Sequence, residues 1–119
     1  MKTEEKINAV RALFEAFSAQ DRRTAESLLA DDFHFTSPYD GAIDKATYFE
    51  RCWPNSKFIA DQTIESIAIS GNDVFVMYYC KLTDGKEFRN TELHRFAGEK
   101  IHSIDVFFGR TINDPGGAG

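Results

Sequence analysis

Val74-Phe75-Val76-Met77-Tyr78-Tyr79-Cys80-Lys81-Leu82, Phe88-Arg89-Asn90-Thr91-Glu92-Leu93-His94-Arg95-Phe96 and Ile101-His102-Ser103-Ile104-Asp105-Val106-Phe107-Phe108 follow one another with only short polar breaks. Each run is rich in β-branched and aromatic residues, the composition that suits a pleated, half-buried surface. The first break, Thr83-Asp84-Gly85-Lys86, contains Asp-Gly, a strong hairpin signal because both residues accept positive φ. The second, Ala97-Gly98-Glu99-Lys100, turns the chain again. The stretch Asp73–Gly109 therefore predicts three consecutive antiparallel strands.

The turns also predict a register. With Asp84-Gly85 as a two-residue loop, Met77 lies opposite Glu92. With Gly98-Glu99 as the next loop, Phe96 pairs with Ile101 and Glu92 lies opposite Asp105. Side chains alternate between faces along a strand. One face then collects Phe75, Met77, Tyr79, Asn90, Glu92, His94, Phe96, Ile101, Ser103, Asp105 and Phe107. The other collects Val76, Tyr78, Thr91, Leu93, Arg95, Ile104, Val106 and Phe108. Opposed Cβ atoms lie about 4.5–5.5 Å apart, and facing like charges are unfavourable. The Glu92–Asp105 pairing therefore requires a wet face, a protonated carboxyl, or a cation or donor between the two.

A chain of 119 residues is the usual size of one domain, read as 1–112 followed by a loose tail at 113–119. The 42% hydrophobic content suffices for a core, and eleven Phe suggest an aromatic-lined interior. The net charge of −5, from 14 basic and 19 acidic residues, disfavours a nucleic-acid binder. The sequence contains neither a run long enough to span a membrane nor an apolar leader after Met1, which reads as a cytoplasmic protein with no membrane partner. Cys52 and Cys80 fit no disulfide framework or metal pattern and are read as free thiols.

Upstream, Thr3 is the expected cap of a first helix over 3–19, with Ile7, Val10, Leu13, Phe14 and Phe17 at helical spacing. Asp21 caps a second helix with Ala25, Leu28 and Leu29 buried. Phe33-His34-Phe35-Thr36-Ser37 alternates as a short strand, and Ser37-Pro38-Tyr39-Asp40-Gly41 turns. Asp44 caps a third helix carrying Tyr48, Phe49, Cys52 and Trp53, which Pro54 stops. Thr63–Ser70 is a further strand. Helices segregated from an antiparallel sheet give an α+β class, here a curved, cone-shaped meander packed on about three N-terminal helices.

Leu29-Ala30-Asp31-Asp32-Phe33, Ser37-Pro38 with Gly41, and Glu92-Leu93-His94-Arg95-Phe96 with Lys100-Ile101 follow one another along the chain. In this order and spacing the three pieces resemble the nuclear transport factor 2-like superfamily, and within it the SnoaL-like and ketosteroid isomerase-like proteins. The resemblance implies a conical pocket with a carboxyl in it. Ketosteroid isomerases carry a base Asp just before the Pro of the first-strand turn; Ser37 stands there. Their oxyanion-hole Asp falls four residues before a late Phe; Glu92, four before Phe96, keeps the carboxyl. Their first-helix Tyr is replaced by Phe14 or Phe17. These departures point away from steroid isomerisation.

Glu92, Asp105 and His94 form the leading catalytic set, with Asp40 at the expected pocket mouth. Two carboxyls in a low-dielectric pocket lose their protons in separate steps, giving one acid and one base. Such a pair suits proton abstraction beside a carbonyl or water activation. A structural polar network between strands explains the same residues. Phe14, Phe17, Ser37, Tyr39, Trp53, Met77, Tyr79, Asn90 and Phe107 are the expected substrate-binding residues. His34 and His102 alternate to the outside. No metal or cofactor pattern is evident. Tyr78, Leu93, Ile104, Val106 and Phe108 are the expected homodimer face. The function read from this is acid–base isomerase, cyclase or hydrolase chemistry on an apolar or aromatic carbonyl compound. The alternative is a non-catalytic ligand-binding or interaction module.

Overall fold

The computed structural model describes residues 2–112, apart from the Arg110 side chain, so the expected tail at 113–119 lies outside the described residues. Helix α1 (Thr3–Ala19) begins as the periodicity predicts, but its N-cap is Lys2 with no side-chain cap, so Thr3 lies inside the first turn. Helix α2 (Arg22–Leu28) is capped by Asp21, whose carboxylate accepts the Thr24 N–H at 3.2 Å. Strands β1 (Leu29–Ser37) and β2 (Asp40–Asp44) follow. Helix α3 (Lys45–Arg51) is capped by Asp44, which accepts the Thr47 N–H at 2.9 Å. A 3-10 turn (Trp53–Phe58) carrying Pro54 leads into β3 (Ile59–Ser70), β4 (Asp73–Leu82), β5 (Glu87–Ala97) and β6 (Lys100–Thr111).

The strands form one six-stranded sheet in the order β2-β1-β6-β5-β4-β3. From β3 to β6 it is the expected antiparallel meander. Beyond β6 it is mixed, because β1 pairs with β6 in parallel. Strand β2, a five-residue antiparallel partner of β1, stands where the sequence shows only turn residues and a cap. Glycines at the tips of the three meander hairpins, Gly71, Gly85 and Gly98, have positive φ.

Two register differences decide the site. Lys81 pairs with Glu87, so the β4–β5 loop contains Thr83, Asp84 and Gly85 rather than two residues. Leu82 N–H donates to Lys86 O at 2.8 Å, and Gly85 sits at φ 92°, the arrangement of a three-residue hairpin loop. Met77 therefore pairs with Thr91 and Glu92 with Val76. At the next hairpin Phe96 pairs with Ile101 as expected, but a bulge between Arg95 and Phe96 shifts the pairing beyond it. Glu92 then lies opposite Val106, and Asp105 opposite Leu93. A one-residue slip exchanges the faces of a strand. Val74, Val76, Tyr78, Ile104 and Val106 consequently face inward and are buried.

The core is in two parts. Leu13, Ala16, Leu29, Phe33, Tyr48, Phe49, Trp53, Ile101, Ile104 and Val106 form one. Val10, Phe14, Val74, Val76, Tyr78 and Cys80 form the other. Helix α1 contributes to both and so lies across the hollow of the curved sheet. Its Lys6 is buried and donates to Asn72 Oδ1 at 2.9 Å, fastening the helix to the β3–β4 turn. Among the described residues no helix is long and apolar enough to cross a membrane.

Candidate functional site

Between α1, α3 and the concave side of the sheet lies a cavity of about 240 Å³. A dry cavity of about 150 Å³ already admits a benzene-sized guest, so this one has room for a small molecule. Leu13, Phe14, Phe17, Phe35, Tyr48, Ile104, Val106 and Phe108 make its walls. Ser37, Asp40, Cys52, Asn55, Gln62, Tyr78, Asn90 and Glu92 are its polar groups.

Glu92 is the centre of a directed chain of hydrogen bonds. Gly109 N–H donates to Asn90 Oδ1 at 3.1 Å, which fixes the amide so that its NH2 faces the Tyr78 hydroxyl at 3.3 Å. Tyr78 O–H donates to Glu92 Oε2 at 2.8 Å. His94 Nε2 lies 2.9 Å from Glu92 Oε1. The His94 ring is fully buried, and its Nδ1 has no hydrogen-bond partner among the described residues. A proton on Nδ1 would meet no acceptor, so the tautomer that suits the site donates from Nε2 to Glu92. Phe14 packs on this group, with its ring centroid 4.9 Å from Tyr78 and 6.1 Å from His94.

The phenols are held neutral. Burial raises the Tyr78 pKa, and the charge of Glu92 and its hydrogen bond raise it further. Burial, then the charge of Glu92, raises Tyr48 as well. Tyr48 is 5% exposed and lines the cavity. Cys52 is pushed up to about 11 by burial and by the neighbouring Asp40, so it stays a thiol at neutral pH.

At the mouth, Pro38 and Tyr39 form the β1–β2 turn. Ser37 Oγ accepts the Tyr39 N–H at 3.1 Å and donates to Asp40 Oδ2 at 3.2 Å. Asp40 is held by Arg51, 2.9 Å away. Tyr39 is 81% exposed and stacks edge-on with Phe108 at 5.4 Å.

Of the expected site residues, Phe14, Phe17, Ser37, Tyr39, Asp40, Asn90 and Glu92 line the cavity, and His94 supports Glu92 from behind. Trp53 is buried behind Phe17, edge-on at 5.2 Å. Asp105 is not paired with Glu92; it lies on the convex face, bound by Arg95 at 2.7 Å. Met77, Tyr79 and Phe107 share that outer face, where Tyr79 donates to Glu87 at 2.9 Å. Conversely Tyr78, Ile104, Val106 and Phe108, expected at a dimer face, line the cavity. Tyr78 was hidden by the two-residue reading of the Asp84-Gly85 loop. Gln62, on the strand preceding the hairpins, carried no sequence signal at all. His34 is exposed and His102 lies beside Asp32 at 3.3 Å, both away from the cavity. Both cysteines are free thiols. Among the described residues no cluster of three or more His, Cys, Asp or Glu is arranged to hold a metal ion.

A SnoaL-like domain model matches residues 10–104. No curated protein matches the chain in sequence. Among solved structures, a nuclear transport factor 2-like protein from Burkholderia xenovorans superposes with a TM-score of 0.77 at 19% identity, covering 98% of this chain and 91% of that one. A putative ketosteroid isomerase from Kribbella flavida gives 0.76 at 16% identity, covering 95% and 84%. An LEH-like epoxide hydrolase from M. tuberculosis gives 0.73 at 18%, covering 89% and 84%. At these identities the structural likeness speaks for the fold alone. The three helices on a curved six-stranded sheet match that fold, and by its family model the chain belongs to the SnoaL-like domain family.

Proposed function

We propose that this protein binds a small, mainly apolar carbonyl compound in the cavity and moves a proton on it, as an isomerase, cyclase or hydrolase. The observation that carries this reading is Glu92, set at an aromatic-walled cavity and held from two sides by Tyr78 and His94. A carboxylate fixed in a water-poor site is a positioned general base. In this reading Glu92 takes the proton, and Tyr78 and His94 orient it. The Tyr48 hydroxyl, at the cavity wall, donates to the carbonyl oxygen. Phe14, Phe17 and Asn90 shape the site, and Ser37, Tyr39 and Asp40 its mouth. The resemblance to a putative ketosteroid isomerase and an LEH-like epoxide hydrolase adds to this reading at the level of fold. Both oxygens of Glu92 already hold hydrogen bonds, which favours a second reading, ligand binding without turnover.

Incubation with small ketones in D2O separates the two. The catalytic reading expects deuterium at the carbon beside the carbonyl, falling by at least about 10²-fold in Glu92→Gln. Ketone binding with no exchange above buffer overturns it and leaves the binding module.

We further propose a homodimer through the convex face, where Phe75 and Met77 are each 39% and Phe107 is 56% exposed. Sedimentation then gives about twice the 13.5 kDa chain mass, and Phe107→Glu lowers it. A wild-type monomer at micromolar concentration removes this proposal.

A further inference from the structure

Among the residues lining the cavity there is no Lys, Arg or His, while two carboxylates, Asp40 and Glu92, are present. Their situations differ. Asp40 has its cation, Arg51, at 2.9 Å on the outer side. Glu92 is paired with no Lys or Arg among the described residues: its partners are the Tyr78 phenol and the His94 imidazole, whose Nδ1 has no acceptor within reach. Its side chain is only 15% exposed. A carboxylate removed from water without a counter-charge is costly, and hydrogen bonds from neutral donors offset only part of that cost.

The surroundings suit one kind of counter-charge. Phe14, Phe17, Phe35, Tyr48, Tyr78 and Phe108 all line the same space. Aromatic faces attract organic cations through the ring quadrupole, more strongly where water is excluded. Tyr48, buried and lining the cavity, adds a hydroxyl oxygen that can accept from an ammonium N–H.

We propose that the ligand carries a basic nitrogen: the cavity selects small apolar ammonium compounds over neutral isosteres and excludes carboxylates and phosphates. The ammonium lies between Glu92 and the aromatic walls, and the hydrocarbon part fills the side formed by Leu13, Ile104 and Val106. This rests on the cavity being the ligand site of the proposed function. It does not rest on proton transfer. In an amino ketone, an ammonium beside the carbonyl's α-carbon would bring that carbon to the same carboxylate, so one group serves both tasks.

The test uses three probes of matched shape: cyclohexylmethylamine, cyclohexylmethanol and cyclohexanecarboxylate. Calorimetry at neutral pH is expected to rank the amine at least about tenfold tighter than the alcohol, with no binding of the carboxylate. Glu92→Gln removes the amine's advantage over the alcohol. Asp105→Asn, which lowers the overall negative charge equally but on the convex face, leaves the advantage in place. An alcohol or carboxylate that binds the wild type as tightly as the amine overturns the proposal. So does an amine preference that survives Glu92→Gln. Should that variant not fold, nuclear Overhauser contacts in the wild type decide: contacts from the amine's methylene to the Tyr48 and Tyr78 rings support the proposal, and contacts only to exposed residues overturn it. Ketone exchange in D2O together with an alcohol that outbinds the amine would sink this inference while leaving the proposed function standing.

Discussion

Tyr78 donates its hydroxyl proton to Glu92 Oε2 at 2.8 Å, although its direct partner across the β4–β5 ladder is Asn90. The bond is diagonal, reaching two residues along the neighbouring strand, a span that long side chains cover. It binds a buried phenol to the carboxylate at the cavity. Tyr78→Phe keeps the ring and its edge-on contact with Phe14 while removing the donor. Glu92 would then have one hydrogen-bond donor fewer, so we expect a loss of about 1–3 kcal/mol. Urea denaturation should show a lower midpoint at unchanged slope. Unchanged stability would mean that Tyr78 is not what holds Glu92.

The raised groups also set a pH dependence. Tyr48 and Tyr78 are raised chiefly by burial, and Cys52 and Cys80 each to about 11 by burial. In the unfolded chain thiols titrate near 8.5 and phenols near 10. Above about pH 8.5 the unfolded state thus gives up protons that the folded state keeps. Their stabilising contribution is complete below that pH and is lost as pH rises towards and beyond 11. Denaturation at neutral pH, pH 9 and pH 10.5 should show a steady decline, and in a Tyr39→Phe, Tyr79→Phe background the tyrosinate absorbance of Tyr48 and Tyr78 should appear only together with unfolding. A stability that is flat over this range would show these groups to be more accessible than their packing indicates.

Asp105 offers a test of the register. Its carboxylate is on the convex face, held by Arg95, whose side chain is 48% exposed. Pairs of this kind contribute about 0–1 kcal/mol. Asp105→Asn should therefore change stability by less than about 1 kcal/mol and leave ligand binding unaltered. Loss of binding in this variant would restore the pairing of Asp105 with Glu92.

That pairing illustrates how far the sequence can be read. Helix α1 and the order of the meander were legible, because the spacing of Val10, Leu13 and Phe14 and the alternation in β4–β6 repeat over many residues. Glu92, Asn90 and His94 were legible as inward-facing, since polar groups amid large apolar neighbours stand out. Their partners were not. Thr83-Asp84-Gly85 closes a three-residue loop where Asp-Gly suggests two, and the bulge at Arg95 adds a second slip. Each moves a neighbouring strand by one residue, which sends Tyr78 inward and Asp105 outward. Both depend on backbone conformation that no side-chain pattern records. Strand β2 escaped for another reason: in Asp40–Asp44, turn residues and a helix cap take most of its length, leaving Ile43 to pack against the core.

Gly109 governs the far end of the hydrogen-bond chain. A Cβ built there would overlap Arg89 O and come within 2.9 Å of Arg89 C, both backbone atoms that cannot swing aside. The close approach occurs at the bulge between Phe88 and Asn90, where Gly109 N–H turns to Asn90 Oδ1 at 3.1 Å. That bond decides which way round the Asn90 amide lies, and so whether Tyr78 receives a donor or faces an oxygen. Gly109→Ala must part β5 from β6 locally, lengthening this bond and freeing the amide to turn. We expect a loss of about 1–3 kcal/mol from the clash and the broken bond together. Gly41→Ala is the control, since nothing lies within 4 Å of its Cβ position; its effect should stay within about 0.5 kcal/mol. Thermal melts give the comparison. The Asn90 side-chain amide signals in a 15N correlation spectrum report the orientation directly and should move in Gly109→Ala but not in Gly41→Ala. If Gly109→Ala melts like the wild type with the Asn90 signals in place, another contact holds the amide, and the direction of the chain from Asn90 through Tyr78 to Glu92 is not set at the bulge.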